Sequence, residues 1–428
     1  MRGVLAIQAK GENCLGPLFL GLFSLQHRGQ VYCGMSTNRG SDELKIRTHR
    51  GLVLTTFADD LSGLEGKSGI GSTSNHDRQP ILKYSRFGSF TIAYDGFIKN
   101  SKELRTKMMN AGDCLSSMED VELLASIITR ESNIVKGIER AMKTVKGGFS
   151  LVILASKAIY AARTQNGLNP LVLGKGEAGW IVASESTAFN NGGFKIFRDV
   201  NPGEIVRLDT HGIKTVRQLE AKKHICNFTW IYFAQPDSII DGVAVAAVRH
   251  NLGKFLAEDD KVEADIVAPV PFSGIMHAEG YHLASGLPLL AVFKLPQYIL
   301  RTYNLPIEYR LDQQSMKLSV IRENVYGKRI ILVDDSIRAG VIMKGTIAKL
   351  RQNGAKEVHV RIASPISFSN CPYAPAPTSG EKYIARNNSI EKIRKIIGAD
   401  TLQYTKLENV SKAIGIPAKD LCLECFKL

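Results

Sequence analysis

RIILVDDSIRAGVIMK, Arg329 to Lys344, is the stretch whose reading decides the fold. Ile330 to Val333 is a continuous apolar run of the kind that becomes a strand buried on both faces, and it stops at two adjacent carboxylates, Asp334 and Asp335. Val341 to Leu350 carries an apolar face and predicts a helix, which Asn353-Gly354 ends with residues that accept a left-handed C-cap. Glu357 to Ala363 reads as the next strand, so the unit is strand, acidic turn, helix, strand. In open parallel sheets of this kind ligands bind beyond the carboxyl ends of the strands, where Asp334 and Asp335 would project. The loop Ser336-Ile337-Arg338-Ala339-Gly340 would offer free N–H groups at a helix N-terminus, which suit a phosphate. Carboxylates for sugar hydroxyls beside amides for a phosphate describe a ribose 5-phosphate site. By spacing alone, two acids that merely cap a helix or bind solvent fit as well.

Working outward, a chain of 428 residues exceeds one ordinary core and predicts two domains. With 44% hydrophobic and 22% charged residues and no apolar run near the length of a membrane span, the composition is that of a soluble globular protein. MRGVLAIQAKGENC has too short an apolar core for a secretory signal, so a cytoplasmic, membrane-free protein is expected. The net charge of +14, from 55 basic against 41 acidic residues, favours anionic partners. No helix-turn-helix pattern, paired zinc-finger spacing or RNP-type aromatic motif accompanies it, which speaks against nucleic acid and for phosphorylated metabolites over a lysine-rich solvated surface. Seven scattered cysteines, an odd number, argue against a disulfide framework, and only Cys422 and Cys425 form a close pair.

In chain order, residues 4 to 8 predict a short buried strand and 16 to 26 a helix. Segments 51 to 57, 89 to 94, 149 to 163, 170 to 174 and 180 to 184 predict strands; 101 to 111, 120 to 131 and 134 to 146 predict helices. Strand runs alternating with helix pairs suggest sheets covered by helices. The polar stretch 218 to 224 marks the expected boundary between a first domain, 1–220, and a second, 225–428.

The motifs carry a resemblance. VDDSI with its Gly-containing loop resembles the 5-phosphoribosyl-1-pyrophosphate (PRPP) motif of type I phosphoribosyltransferases. GLFSLQHRGQ (21–30), GGFSLVIL (147–154), RTQNGLNPLVLG (163–174), ASES (183–186) and PGEIVRL (202–208) are similar to the class II glutamine amidotransferase domain of the amidophosphoribosyltransferase family. WIYFAQPDSIIDG (230–242), PVPFSG (269–274) and LCLECF (421–426) match the second half of the same family, in the same order. The resemblance implies an α/β protein: an N-terminal αββα sandwich of the Ntn-hydrolase type, then a type I phosphoribosyltransferase domain with a parallel sheet. It also implies purine nucleotide biosynthesis and a homo-oligomer.

Against that pattern the glutaminase half has lost its chemistry. The family's nucleophile is a cysteine at the mature N-terminus, just before a Gly; Arg2 stands there, and a guanidinium is no nucleophile. Cys14 and Cys33 lie inside the domain and read as buried cysteines. The family's Gly-His-x-Arg-Tyr segment, whose arginine takes the glutamine carboxylate, is Gly71-Ser72-Thr73-Ser74-Asn75, and its oxyanion Asn-Gly pair is Asp95-Gly96. A carboxylate there directs negative charge at a developing oxyanion. Asp120 matches the family's acid for the substrate amine. No catalytic residue is assigned.

The phosphoribosyl half keeps more. The resemblance implies that Asp334 and Asp335 hold the ribose diol and that Ser336 to Gly340 hold the 5-phosphate. Ser273 and Gly274 of Pro271-Phe272-Ser273-Gly274 meet pyrophosphate and its magnesium, shared with Asp334 and Asp335, and Arg301 and Lys317 belong to the closing loop. Phe272 replaces an acid, Ala339 an arginine, and Val341 and Ile342 two phosphate-binding threonines. Cys226, Cys371, Cys422 and Cys425 fill the positions that hold an iron–sulfur cluster in some members, which implies a [4Fe–4S] cluster or a zinc ion. Two functions follow: ammonia-dependent formation of 5-phosphoribosylamine from PRPP without a glutaminase, or a pseudoenzyme that binds PRPP or a nucleotide and regulates or scaffolds a partner such as an active homologue.

Overall fold

The computed structural model describes residues 1–11, 13–40, 43–294, 318–374 and 383–427. The first half is built on two antiparallel sheets. One has seven strands, in the order Phe194–Asp199, Val172–Gly176, Gly179–Ala183, Arg2–Ala9, Ser68–Ser74, Tyr32–Asn38, Leu44–Arg50. The other has six: Gly212–Gln218, Glu204–Asp209, Ile159–Arg163, Gly147–Ala155, Gly88–Ile98, Ile81–Ser85.

Arg2–Ala9 shows how the layers form. Alternate side chains of a strand point to opposite faces. Val4 and Ala6 face Ala93, Val152 and Leu154 of the other sheet in one apolar cluster. Leu5 and Ile7 face outward into another cluster with Leu18 and Leu22 of the helix Leu15–Ser24 and Phe189 of the helix Thr187–Asn190. On the far side, Tyr94, Phe149 and Leu151 of the six-stranded sheet pack under the helices Ser101–Asn110, Asp120–Thr129 and Ile134–Thr144. Two sheets enclosed by helices make the αββα sandwich that the motifs implied. One local expectation is overturned: residues 51 to 57 hold no strand but the short helix Val53–Thr56. The Gln26 Oε1 atom accepts the Val53 N–H at 2.6 Å and caps that turn, so a tertiary contact overrides the β-branched local preference.

The second half carries a parallel sheet of four strands, in the order Ile266–Pro269, Arg329–Asp334, Glu357–Ile362, Thr401–Tyr404. Arg329–Asp334 is central, and its Ile330, Ile331, Leu332 and Val333 are fully buried, as a both-faces-covered strand requires. The helix Val341–Gln352 and the helix Ile390–Ile397 cover one face. Val245–Glu258, Ile275–Ser285 and Leu407–Ile414 cover the other. The stretch 218–224 runs back along the first half: the Lys222 and His224 N–H groups donate to the Gln165 and Asn166 carbonyls. No helix among the described residues is long and apolar enough to cross a membrane.

Val245–Glu258 and Ile275–Ser285 cross where Gly253 meets the His277 carbonyl and Gly280 meets the His250 carbonyl, with no room for a Cβ at either. Gly253→Ala and Gly280→Ala should each force the two helices apart and cost roughly 1–3 kcal/mol or more, as overpacking does. Urea unfolding of the two variants measures this.

Candidate functional site

Asp334 and Asp335 leave the central strand at its carboxyl end, between the parallel neighbours that start at Ile266 and Glu357, and both are buried. The Ser273 hydroxyl donates to Asp334 Oδ1 at 3.2 Å, and the Asp335 N–H donates to the same oxygen at 2.8 Å. The Ser336 hydroxyl donates to Asp335 Oδ2 at 2.5 Å. Burial, and for Asp334 also the Asp335 charge, pushes both carboxyls above their ordinary values. Two buried acids with so few donors are under-compensated, and a diol or a cation would relieve them. The Arg249 charge acts on Asp335 in the opposite sense; it is held by the Trp230 and Ala234 carbonyls at 2.9 and 2.7 Å, burial pulls its guanidinium down, and the Asp335 and Glu185 charges oppose that.

The expected turns stand beside this pair. Gly274 begins the helix Ile275–Ser285, and a Cβ on it would strike the Val333 carbonyl, so the 271–274 turn lies directly against the central strand. Gly340, at φ 78°, begins Val341–Gln352 with no side-chain cap, which leaves the first-turn N–H groups of that helix for a ligand. Around them the rim is apolar: Phe272 is 70% exposed, Val341 59% and Ile342 53%. The structure thus brings Asp334, Asp335, Ser336, Ser273, Gly274 and Gly340 to one end of one sheet. Arg301 and Lys317 lie outside the described residues.

At the other expected site the buried charged side chains are paired with one another. Arg2 is buried; its Nε and Nη2 donate to Asp77 at 2.7 and 2.9 Å, its Nη1 to the Gly96 carbonyl at 2.8 Å, and its guanidinium lies 4.4 Å from the Tyr94 ring centroid. Asp95 aims at no oxyanion position: Oδ1 accepts the Arg2 N–H at 2.9 Å, and Oδ2 accepts Arg28 at 2.6 Å and Asn169 at 3.1 Å. Arg28 also donates to Glu185 at 2.6 Å and to the Arg2 carbonyl at 2.8 Å. Burial pushes the Glu185 carboxyl up, but His27, Arg28 and the Gln235 N–H outweigh it and hold it at about 2. Asp77 and Asp95 are likewise lowered, against burial, chiefly by Arg2 and Arg28 respectively. Ser74 donates to Asp77 at 2.6 Å, and Asp120 is taken by Arg105 at 2.5 Å. Cys14 and Cys33 are buried in the outer core of the seven-stranded sheet.

The four remaining cysteines of interest come from distant segments. Cys226 sits opposite Cys422 in a two-stranded parallel pair, Asn227 Nδ2 donates to the Cys422 carbonyl, and the Phe368 N–H donates to the Cys425 carbonyl at 3.0 Å. Burial raises the Cys226 thiol, and Cys422, Cys371 and Cys425 raise it further by their charge, so all four lie within electrostatic reach. Among the described residues no group of three or more His, Cys, Asp or Glu side chains is drawn together closely enough to hold a metal ion.

Sequence reasoning missed Asp77 and Arg249 and gave no role to Arg28 and Glu185, although the latter two stand in the quoted segments QHRGQ and ASES. Their signal was a charged residue in a segment otherwise buried, which one sequence does not reveal.

A glutamine amidotransferase domain model matches residues 68–191. The amidophosphoribosyltransferase of Methanothermobacter thermautotrophicus is 37% identical, over 98% of this chain and 91% of that protein. Those of Archaeoglobus fulgidus and Bacillus subtilis are 35% and 36% identical, over 100% and 95% of this chain and 97% and 89% of theirs. A solved structure of the glutamine phosphoribosylpyrophosphate amidotransferase from B. subtilis, complexed with ADP and GMP, superposes with a TM-score of 0.93 at 36% identity, covering 99% of this chain and 96% of that one.

The buried ion network predicts an acid response. A carboxylate lowered in the folded state stabilises it above the unfolded value, and that stability is lost as pH falls through the folded value. For Glu185 the window runs from 4.5 down to about 2, and Asp77 and Asp95 act in the same sense from 3.8 downward. Thermal unfolding between pH 7 and pH 3 should therefore show stability falling below about pH 4.5. Glu185→Gln should flatten that fall and, by leaving Arg28 short of one buried partner, cost roughly 3–5 kcal/mol at neutral pH.

Proposed function

Since the chain belongs to the amidophosphoribosyltransferase family, we propose that it is a member whose glutaminase half is structural and whose second half keeps a phosphoribosyl site. In this reading residues 1–220 form the degenerate amidotransferase-like unit and 225–428 the phosphoribosyltransferase-like unit. The observation that carries the first part is Arg2: the residue that the family pattern places at the nucleophile position is a buried guanidinium ion-paired to Asp77 and bonded to the Gly96 carbonyl. No thiol stands at that position.

The second half supports ammonia-dependent formation of 5-phosphoribosylamine from PRPP. Asp334 and Asp335 would accept the ribose hydroxyls, while the first-turn amides after Gly340 face the 5-phosphate. The ammonia nitrogen forms its bond to C1 as the C1–oxygen bond breaks, and pyrophosphate leaves with that electron pair. The buried carboxylates favour the positive charge that develops on the ring. Magnesium suits Ser273, Asp334 and Asp335, whose raised carboxyls mark uncompensated negative charge; when bound it would neutralise the pyrophosphate. Cys226, Cys371, Cys422 and Cys425 are thiols, the donor chemistry of a [4Fe–4S] cluster or zinc, but they would have to draw closer than they stand here to hold either. The site's place in purine nucleotide biosynthesis, a homo-oligomeric state and a cytoplasmic location follow from the family.

A second reading, a regulatory or scaffolding binder of PRPP or a nucleotide, draws on the rim: Phe272, Val341 and Ile342 are exposed where a catalytic site would hold an acid and two hydroxyls.

The purified chain should release no glutamate from glutamine, and Arg2→Cys alone should not restore release, because Asp77 would then lie buried without its cation. Titration with PRPP and magnesium followed by a product assay with ammonia separates the two readings: product means enzyme, binding without product means regulator. Asp334→Asn with Asp335→Ala should weaken PRPP binding about thirtyfold or more, as loss of roughly 2–4 kcal/mol of hydrogen bonding implies. Val341→Thr with Ile342→Thr should tighten it, and a double variant no tighter than the parent would mean a pocket rebuilt for another ligand. Protein prepared without oxygen should carry iron and sulfide or about one zinc per chain; elemental analysis finding neither would return the cysteines to ordinary packing.

A further inference from the structure

At the edge of the parallel sheet, where the strands Glu357–Ile362 and Thr401–Tyr404 end, lies a cavity of 340 Å³. Ile366, Leu402 and Phe426 give it apolar walls, and no Lys, Arg, Asp or Glu among the described residues lines it. Phe426 is backed by the Phe228 ring at 5.7 Å between centroids. Ile390 and Leu407, the first residues of the helices Ile390–Ile397 and Leu407–Ile414, also line it and are 44% and 47% exposed, so the cavity opens to the surface between two helix starts.

Two adjacent residues of this lining carry hydroxyls that nothing satisfies. Thr405 is buried, with its N–H spent on the Ile362 carbonyl at 2.9 Å, yet its Oγ1 atom has no hydrogen-bond partner among the described residues. The same holds for the Tyr404 hydroxyl, which is closed off from solvent, and burial alone pushes that phenol above its ordinary value. Nearly all buried polar groups of native interiors are hydrogen-bonded. Two unpaired hydroxyls in consecutive residues that line one cavity therefore mark the place of a missing partner.

We propose that this cavity binds a small neutral aromatic molecule bearing a hydroxyl or a ring N–H, whose polar group pairs with the Tyr404 and Thr405 hydroxyls. Neutrality follows from the lining, since an ion would be taken out of water with no opposite charge to meet it. The Phe426 and Tyr404 rings offer offset or edge-on contact to an aromatic ring. The volume lies at the lower end of the roughly 300–1,000 Å³ typical of small-molecule sites and suits one or two rings. Mostly apolar walls with a few convergent polar groups are the usual make-up of such a site.

Ligand-detected NMR titration of the full chain with para-cresol and with toluene, which differ only by the hydroxyl, tests this. The cresol should bind with a Kd of about 1 mM or tighter and the toluene about threefold or more weaker. Tyr404→Phe with Thr405→Val should weaken the cresol by about threefold to tenfold and leave toluene within about twofold. Without ligand that variant should melt at or above the parent temperature, because it removes unpaired buried hydroxyls. Leu402→Trp, or Ile366→Phe should the first variant fail to melt cooperatively, fills the cavity and should abolish binding of both probes. PRPP with magnesium should not displace the cresol. Cresol binding no tighter than toluene, unchanged in the hydroxyl or the filled variants, or displaced by PRPP overturns the proposal. So does binding of neither probe, which would mean that the cavity takes water only.

Discussion

The structure depends on a set of buried charges that has to close on itself. Arg2, Arg28, Asp77, Asp95 and Glu185 all lie in the interior of the first half, and an isolated charge there costs several kcal/mol. Each has its opposite: Arg2 takes Asp77, while Arg28 stands between Asp95 and Glu185. The backbone joins the two pairs, since the Arg2 N–H goes to Asp95 and the Arg2 carbonyl receives Arg28. A guanidinium at position 2 is therefore more than the absence of a nucleophile. It supplies a cation that Asp77 requires, and the first strand is pinned through it to the last residues of the 88–98 strand at Gly96.

The same network reaches the second half through Glu185. One of its oxygens, Oε1, belongs to His27 and Arg28; the other, Oε2, accepts the Gln235 N–H at 2.9 Å and the Ser238 hydroxyl at 3.1 Å. Ser238 in turn accepts the Val245 N–H, the first residue of the helix that carries Arg249. A second tie, Arg163 bidentate on Asp241 at 2.7 and 2.9 Å, locks the turn that precedes that helix. The helix whose Arg249 charge acts on Asp335 is thus fastened at its start to the buried ion network of the first half.

How much of this was legible in the sequence follows from the kind of signal each part leaves. The central strand, its acidic turn and the Val341–Gln352 helix were readable because an apolar run, paired acids and a glycine cap are local patterns. The strands Tyr32–Asn38 and Ser68–Ser74 were not read as strands: YCGMSTN and SGIGSTS are polar and glycine-rich, and they are buried because other layers cover them. An arginine at position 2 was visible in the sequence, whereas its partner Asp77 was not, because a salt bridge between residues 75 apart leaves no local trace.

Charge compensation distinguishes the two sites. In the first half Asp77, Asp95 and Glu185 are held below their ordinary values because each already has its cation. In the second half Asp334 and Asp335 are also buried yet pushed above theirs, and among the described residues two serine hydroxyls and one backbone amide donate to their carboxyls. Evolution that no longer used the acids would be free to replace them by apolar residues of similar size, a change that is often neutral or stabilising for buried charges. Retaining an under-compensated pair at the open end of a parallel sheet has a physical rationale when something from outside completes it, and a polyhydroxyl or cationic ligand is the chemistry that does so.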